Sequence, residues 1–194
     1  MKIDFLRFSR EEIIDLVKSW LAVSAAFAIA MSGLASEILI GLFVISAITV
    51  GLGFLLHELA HKFLAQKYGC FAEFRSNNFM LVLALALSFT GFVFAAPGGV
   101  VLKGYVNPER YGRISAAGVA ANLVLALLFL ILFFTPFPDI GYYGFYINSW
   151  LALFNLIPVG SFDGLKILNW NKKVYAIMIV IAFSLIAVKT LVFQ

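Results

Sequence analysis

Five apolar runs, each long enough to cross a bilayer whose hydrocarbon core is about 30 Å thick, constrain this chain more than any other feature. They are Trp20–Ser36, Ile38–Leu56, Ile114–Phe134, Tyr142–Val159 and Val174–Val192. A sixth run, Phe79–Ala96, has a span's length but breaks into Pro97-Gly98-Gly99. Only 12% of residues are charged against 63% hydrophobic, and mean hydropathy is +1.01. A soluble domain needs more polar surface, so the expected fold class is an all-α polytopic membrane protein. Five to six transmembrane helices are expected, with a re-entrant segment and a short β-hairpin. Residues 1–194 read as one membrane-embedded domain, with a core at 38–168. An amphipathic segment at 1–18 is either a helix on the membrane surface or the solvated start of the first span. No cleavable signal peptide or internal repeat is recognisable.

The net charge of +4 carries no nucleic-acid signal in so apolar a chain; the basic residues read as topology determinants. Lys62, Lys67, Arg75, Lys103, Arg110, Arg113, Lys166, Lys172 and Lys173 all prefer the cytoplasmic side. The loops at Ser36-Glu37 and Pro136-Phe137-Pro138-Asp139 lack Lys and Arg and belong outside. These assignments agree only if Phe79–Tyr105 makes no net crossing, so it is expected to re-enter. The N-terminus is then cytoplasmic. Such non-helical backbone is tolerated where protein or a water cavity satisfies it. Cys70 is the single cysteine, which excludes an intramolecular disulfide.

Both histidines of the chain lie in His57-Glu58-Leu59-Ala60-His61. Positions i and i+4 share a helix face, so the two imidazoles can bind one metal ion, with Glu58 beside it as a base. A catalytic zinc takes three protein ligands and leaves one position for water. Candidates for the third are Cys70, Glu73, Glu109, Asp139 and Asp163. Glu73 and Glu109 read as solvated, and Asp139 falls in the outer loop. Asp163 follows Pro158 and Gly160, which should break a membrane helix and turn it back toward the bundle. Asn155 adds polarity at that break.

The pairing of His57-Glu58-Leu59-Ala60-His61 with Asn155-Leu156-Ile157-Pro158 and Asp163-Gly164 resembles the site-2 protease family (peptidase family M50) of intramembrane zinc metalloproteases. The span containing Gly118 and Asn122 also resembles that family. Leu165 stands where the family often has a second glycine, and Gly118-Val119 where it usually has Gly-Pro. The resemblance implies His57, His61 and Asp163 as Zn2+ ligands and Glu58 as catalytic base. It implies Asn155 and Asn122 as substrate or oxyanion contacts. The expected activity is zinc-dependent endopeptidase cleavage of transmembrane segments of other proteins, from a compact form without PDZ or CBS domains. The competing expectation is a non-hydrolytic zinc-binding or zinc-transport membrane protein, which would gain little from Glu58.

Overall fold

A computed structural model describes residues 7–33, 36–93 and 97–192. The chain runs α1 (Arg10–Ser32), α2 (Ser36–Ser46), a π-helical stretch (Ala47–Gly51), α3 (Leu52–Lys67), β1 (Phe71–Ser76), α4 (Asn78–Ser88) and β2 (Gly98–Lys103). It continues through α5 (Pro108–Phe133), α6 (Pro138–Asn155), α7 (Asp163–Trp170) and α8 (Lys172–Val192). Three helical stretches are long and apolar enough to cross a membrane: Arg10–Ser32, Glu37–Lys67 and Pro108–Phe133. Helices α6 and α8 have 18 and 21 residues.

Local chemistry sets the helix boundaries. Ser9 caps α1 by accepting the Glu12 N–H at 3.1 Å, and Asn107 caps α5 ahead of Pro108 by accepting the Arg110 N–H at 2.8 Å; both satisfy otherwise orphaned first-turn donors. α6 stops at Asn155 because Pro158 cannot continue it. The Leu156 carbonyl there accepts the Tyr175 hydroxyl at 3.0 Å. α5 is the central helix: Val119, Leu123, Ala126 and Phe129 pack with Phe145 and Ala152 of α6, Ile167 of α7 and Ala182 of α8.

The π-helical stretch joins α2 to α3 within one continuous helix. A π turn disturbs the regular backbone ladder and leaves carbonyls for other donors. Two of its carbonyls are used: the Trp20 indole N–H donates to Ala47 O at 3.0 Å, and Asn148 Nδ2 reaches Thr49 O at 3.5 Å.

The two strands pair antiparallel in the register Phe71↔Lys103 to Ser76↔Gly98. The expected short β-hairpin is instead a pair of strands with a helix between them. Gly98 and Gly99 open β2, whose partner β1 precedes α4. α4 is capped by Asn77, which accepts the Met80 N–H at 3.2 Å, and its 11 residues extend roughly 16 Å. The Asn77 N–H donates to Pro97 O at 2.8 Å, so the ends of this excursion lie side by side. Residues 94–96, just before the expected break at Pro97, lie outside the described residues.

The N-terminal segment leads directly into the first long helix. Residues 1–6 of the amphipathic 1–18 stretch lie outside the described residues. From Arg10 onward the stretch is the start of α1, packed against α3 and β1. Glu12 is fully buried: it pairs with Lys62 of α3 and accepts the Phe74 N–H of β1 at 2.9 Å. Lys62, read from sequence as a topology charge, is 1% exposed, with its ammonium 4.0 Å from the Phe8 ring centroid. Glu73, expected to be solvated, is 8% exposed. The Ser9 hydroxyl, with the Arg75 guanidinium, holds its carboxyl below the usual carboxylate range.

Removing one partner of a buried ion pair strands the other charge, at a cost of about 3–5 kcal/mol. Lys62→Met is therefore expected to lower the thermal unfolding temperature sharply in detergent. Combining it with Glu12→Gln, which can still accept the Phe74 N–H, should recover most of the loss.

Candidate metal centre

α3 places His57 and His61 one turn apart, their rings nearly perpendicular at 87° with centroids 4.4 Å apart. The two Nε2 atoms are 2.9 Å apart. Asp163, the first residue of α7, brings Oδ2 to 3.3 Å from His57 Nε2 and 3.1 Å from His61 Nε2. All three residues are buried. Among the described residues this is the group of His, Cys, Asp or Glu side chains placed to hold a metal ion.

The tautomers follow from the outer nitrogens. His61 Nδ1 lies 2.8 Å from Ile114 O, and a carbonyl only accepts, so this Nδ1 carries the proton. His57 Nδ1 lies 2.7 Å from Asn122 Oδ1. Asn122 Nδ2 donates to Gly53 O and to Asn148 Oδ1, both at 3.1 Å, while Asn148 Nδ2 donates to Gly144 O at 2.9 Å. Backbone carbonyls thus orient both amides, and His57 Nδ1 must donate to Asn122. In the neutral imidazoles, the form that binds a metal, each Nε2 then presents a lone pair.

With both rings neutral, two lone pairs and a carboxylate oxygen converge, which is repulsive in a buried site unless a cation, a metal ion or a proton, lies there. Tetrahedral ligands with bonds of about 2.0–2.2 Å sit roughly 3.3 Å from one another. The observed separations of 2.9, 3.1 and 3.3 Å fit such an ion.

Two glycines make the convergence possible. A Cβ on Gly118 would stand 2.3 Å from His61 Cε1 and 2.9 Å from His57 Cε1, so a bare backbone there lets α5 pass the imidazoles. A Cβ on Gly164 would meet Leu156 O at 2.1 Å, so glycine after Asp163 lets α7 start against the end of α6.

Glu58 is 8% exposed, and its Oε2 has no hydrogen-bond partner among the described residues. The Val100 backbone amide of β2 hydrogen-bonds its carboxylate. A cavity of about 310 Å³ is lined by Glu58, the three ligand candidates, Asn155 and the start of β2. Asn155 is partly exposed and donates to Leu151 O at 2.9 Å. Asn122 is fully buried and faces His57. Glu109 is exposed, and Asp139 lies in the first turn of α6. Neither these two residues nor Glu73 and Cys70 joins the cluster. Sequence reasoning missed Asn148, although a buried-span asparagine is itself a signal of a hydrogen-bonded role.

The fold and site define a helical protein with a His-His-carboxylate metal centre. Over 179 residues the chain is 42% identical to "Putative zinc metalloprotease MJ0611" of Methanocaldococcus jannaschii, covering 89% of this chain and 91% of that protein. "Zinc metalloprotease MJ0392" of the same organism is 31% identical over 121 residues, 59% of this chain and 30% of that protein. "Putative zinc metalloprotease YwhC" of Bacillus subtilis is 28% identical over 145 residues, 63% of this chain and 66% of that protein. No family model and no solved structure matches the chain. The chain belongs to the zinc metalloproteases, and zinc is the metal that suits its cluster.

Partners that orient a metal-bound imidazole commonly contribute about 10–100-fold to metal affinity. Asn122→Ala is expected to weaken zinc binding by a factor in that range, read by competition with a chelator of known affinity. Gly118→Val should leave no stoichiometric zinc in the purified protein, measured by elemental analysis.

Proposed function

We propose that this chain is a compact intramembrane endopeptidase of the site-2 protease type, cleaving transmembrane segments of other proteins. The observation that carries the reading is the unpartnered Oε2 of Glu58, buried in the same cavity as the three converging ligand atoms. A structural or transported zinc has no use for a free carboxylate oxygen beside it.

His57, His61 and Asp163 would hold zinc, which when bound would supply Lewis acidity toward a peptide carbonyl and a water. Glu58 takes a proton from the attacking water as its oxygen bonds to the peptide carbon. The same carboxyl then gives that proton to the departing nitrogen, so the C–N bond breaks to an acid and an amine. Asn155 lines the cavity where it can meet the peptide backbone. Asn122 acts through His57, which its Oδ1 holds. The side of β2 away from β1 carries no strand among the described residues, so an unwound substrate can pair there by strand addition.

A second, apolar cavity of about 520 Å³ between α1 and α6 shares Leu151, Asn155 and Phe162 with the catalytic one. That continuity supports sideways entry of an apolar segment from the bilayer. The short α4 and the adjacent ends at Asn77 and Pro97 support a re-entrant segment within a five-span, single-domain protein. With the N-terminus inside, Lys67, Arg75, Lys103, Arg110 and Arg113 then face the cytoplasm, as does the metal centre.

Glu58→Gln is expected to retain zinc and to slow cleavage of a reconstituted single-span substrate by about 10²–10⁴-fold. Undiminished cleavage by that variant would defeat the mechanism. Zinc flux into proteoliposomes with no cleavage of any membrane substrate would favour the carrier reading instead.

A further inference from the structure

Asp163 divides its carboxylate between two environments. Oδ2 faces the two imidazoles at 3.1 and 3.3 Å. Oδ1 lies 3.5 Å from the ammonium of Lys166, one turn further along α7. A carboxylate rotates easily about its terminal bond, and its two oxygens are chemically equivalent. With nothing to hold Oδ1, rotation would carry Oδ2 away from the histidines, and each rearrangement would cost affinity for the metal.

Lys166 is not free to act as an ordinary surface charge. Its Nζ donates to the Ser161 carbonyl at 2.6 Å and lies 5.4 Å from the Tyr111 ring centroid. Its side chain is 22% exposed and forms part of the catalytic cavity wall. An exposed ion pair at i,i+3 is worth little, because water competes and two long side chains must be ordered. Here the carboxylate is short, buried and already fixed at the helix start, and a backbone carbonyl anchors the ammonium. Ser161 sits in the turn that reverses the chain after Pro158, so one ammonium ties that turn to the ligand it delivers.

We infer that Lys166 is a positioning residue for zinc. It holds Asp163 Oδ1 and the Ser161 carbonyl together, so that Oδ2 stays directed between His57 and His61. The inference rests on the ligand set proposed above, and zinc affinity tests it without recourse to proteolysis.

The experiment uses the full-length chain carrying Glu58→Gln, purified in detergent, with zinc affinity read by chelator competition. Adding Lys166→Met should weaken zinc binding by about 10–100-fold, while the melting temperature of the zinc-stripped protein stays within a degree or two of its parent. Lys166→Arg, which preserves the charge and can reach both oxygens, should stay within about threefold of the parent. Excess zinc should restore turnover of Lys166→Met in the Glu58 background with an unchanged KM. If Lys166→Met does not fold, Lys166→Gln takes its place, and a loss of at least about tenfold is expected. Zinc affinity within about threefold of the parent in either neutral variant would overturn the inference. Asp163→Ala serves as the separate control: unaltered zinc binding there would overturn the ligand set itself, and the role of Lys166 with it.

Discussion

Two imidazole Nε2 atoms and a carboxylate oxygen face one another inside an apolar bundle, within 3.3 Å. Unpartnered acceptors in such surroundings are costly, so their convergence has to be held by the rest of the structure and neutralised by a cation. The surrounding packing provides the first part. Bare backbone at Gly118 admits α5 against the rings, and bare backbone at Gly164 admits α7 against α6. The second part follows from the tautomers, because both protons are committed outward to Ile114 O and Asn122 Oδ1.

The orientation of His57 is relayed through two asparagines that cross the bundle. Asn148 on α6 holds Asn122 on α5, which holds His57 on α3. Backbone carbonyls at Gly53 and Gly144 fix which way each amide faces. Every polar atom in this relay meets a partner of opposite character, the condition under which buried polar networks rigidify a core. His61 needs no such relay, because the start of α5 supplies a carbonyl directly.

Charged groups collect at one end of the molecule, and they also do structural work. Glu12 is engaged by Lys62 and by the Phe74 amide, Asp15 accepts the Ser76 hydroxyl at 2.6 Å, and Arg75 reaches Glu11 and Glu73 at 3.1 and 2.8 Å. These contacts attach the base of α1 to the sheet and to α3. Further along α1, Phe27, Ala30 and Met31 border the open apolar cavity instead. One helix is thus secured by polar contacts at its base and lines empty apolar space toward its other end.

Much of the site was legible in the sequence, since i,i+4 spacing by itself places His57 and His61 on one helix face. Pro158, Gly160 and Asp163-Gly164 announced a broken helix with a carboxylate at its return. Apolar runs announced helices, and α1 begins at Arg10, inside the amphipathic stretch that leads into the first run. What sequence could not reveal was partnership across distance. Glu73 read as solvated and Lys62 as a topology charge, and only the fold brings Lys62 to Glu12 across fifty positions. The strand pairing was equally hidden, because β1 and β2 are separated by α4, and local pattern carries no register between distant segments. Residue types and their spacing determined the chemistry this chain can attempt. Tertiary structure decided which buried group meets which, because hydrogen bonds and close contacts depend on distances that linear order does not encode.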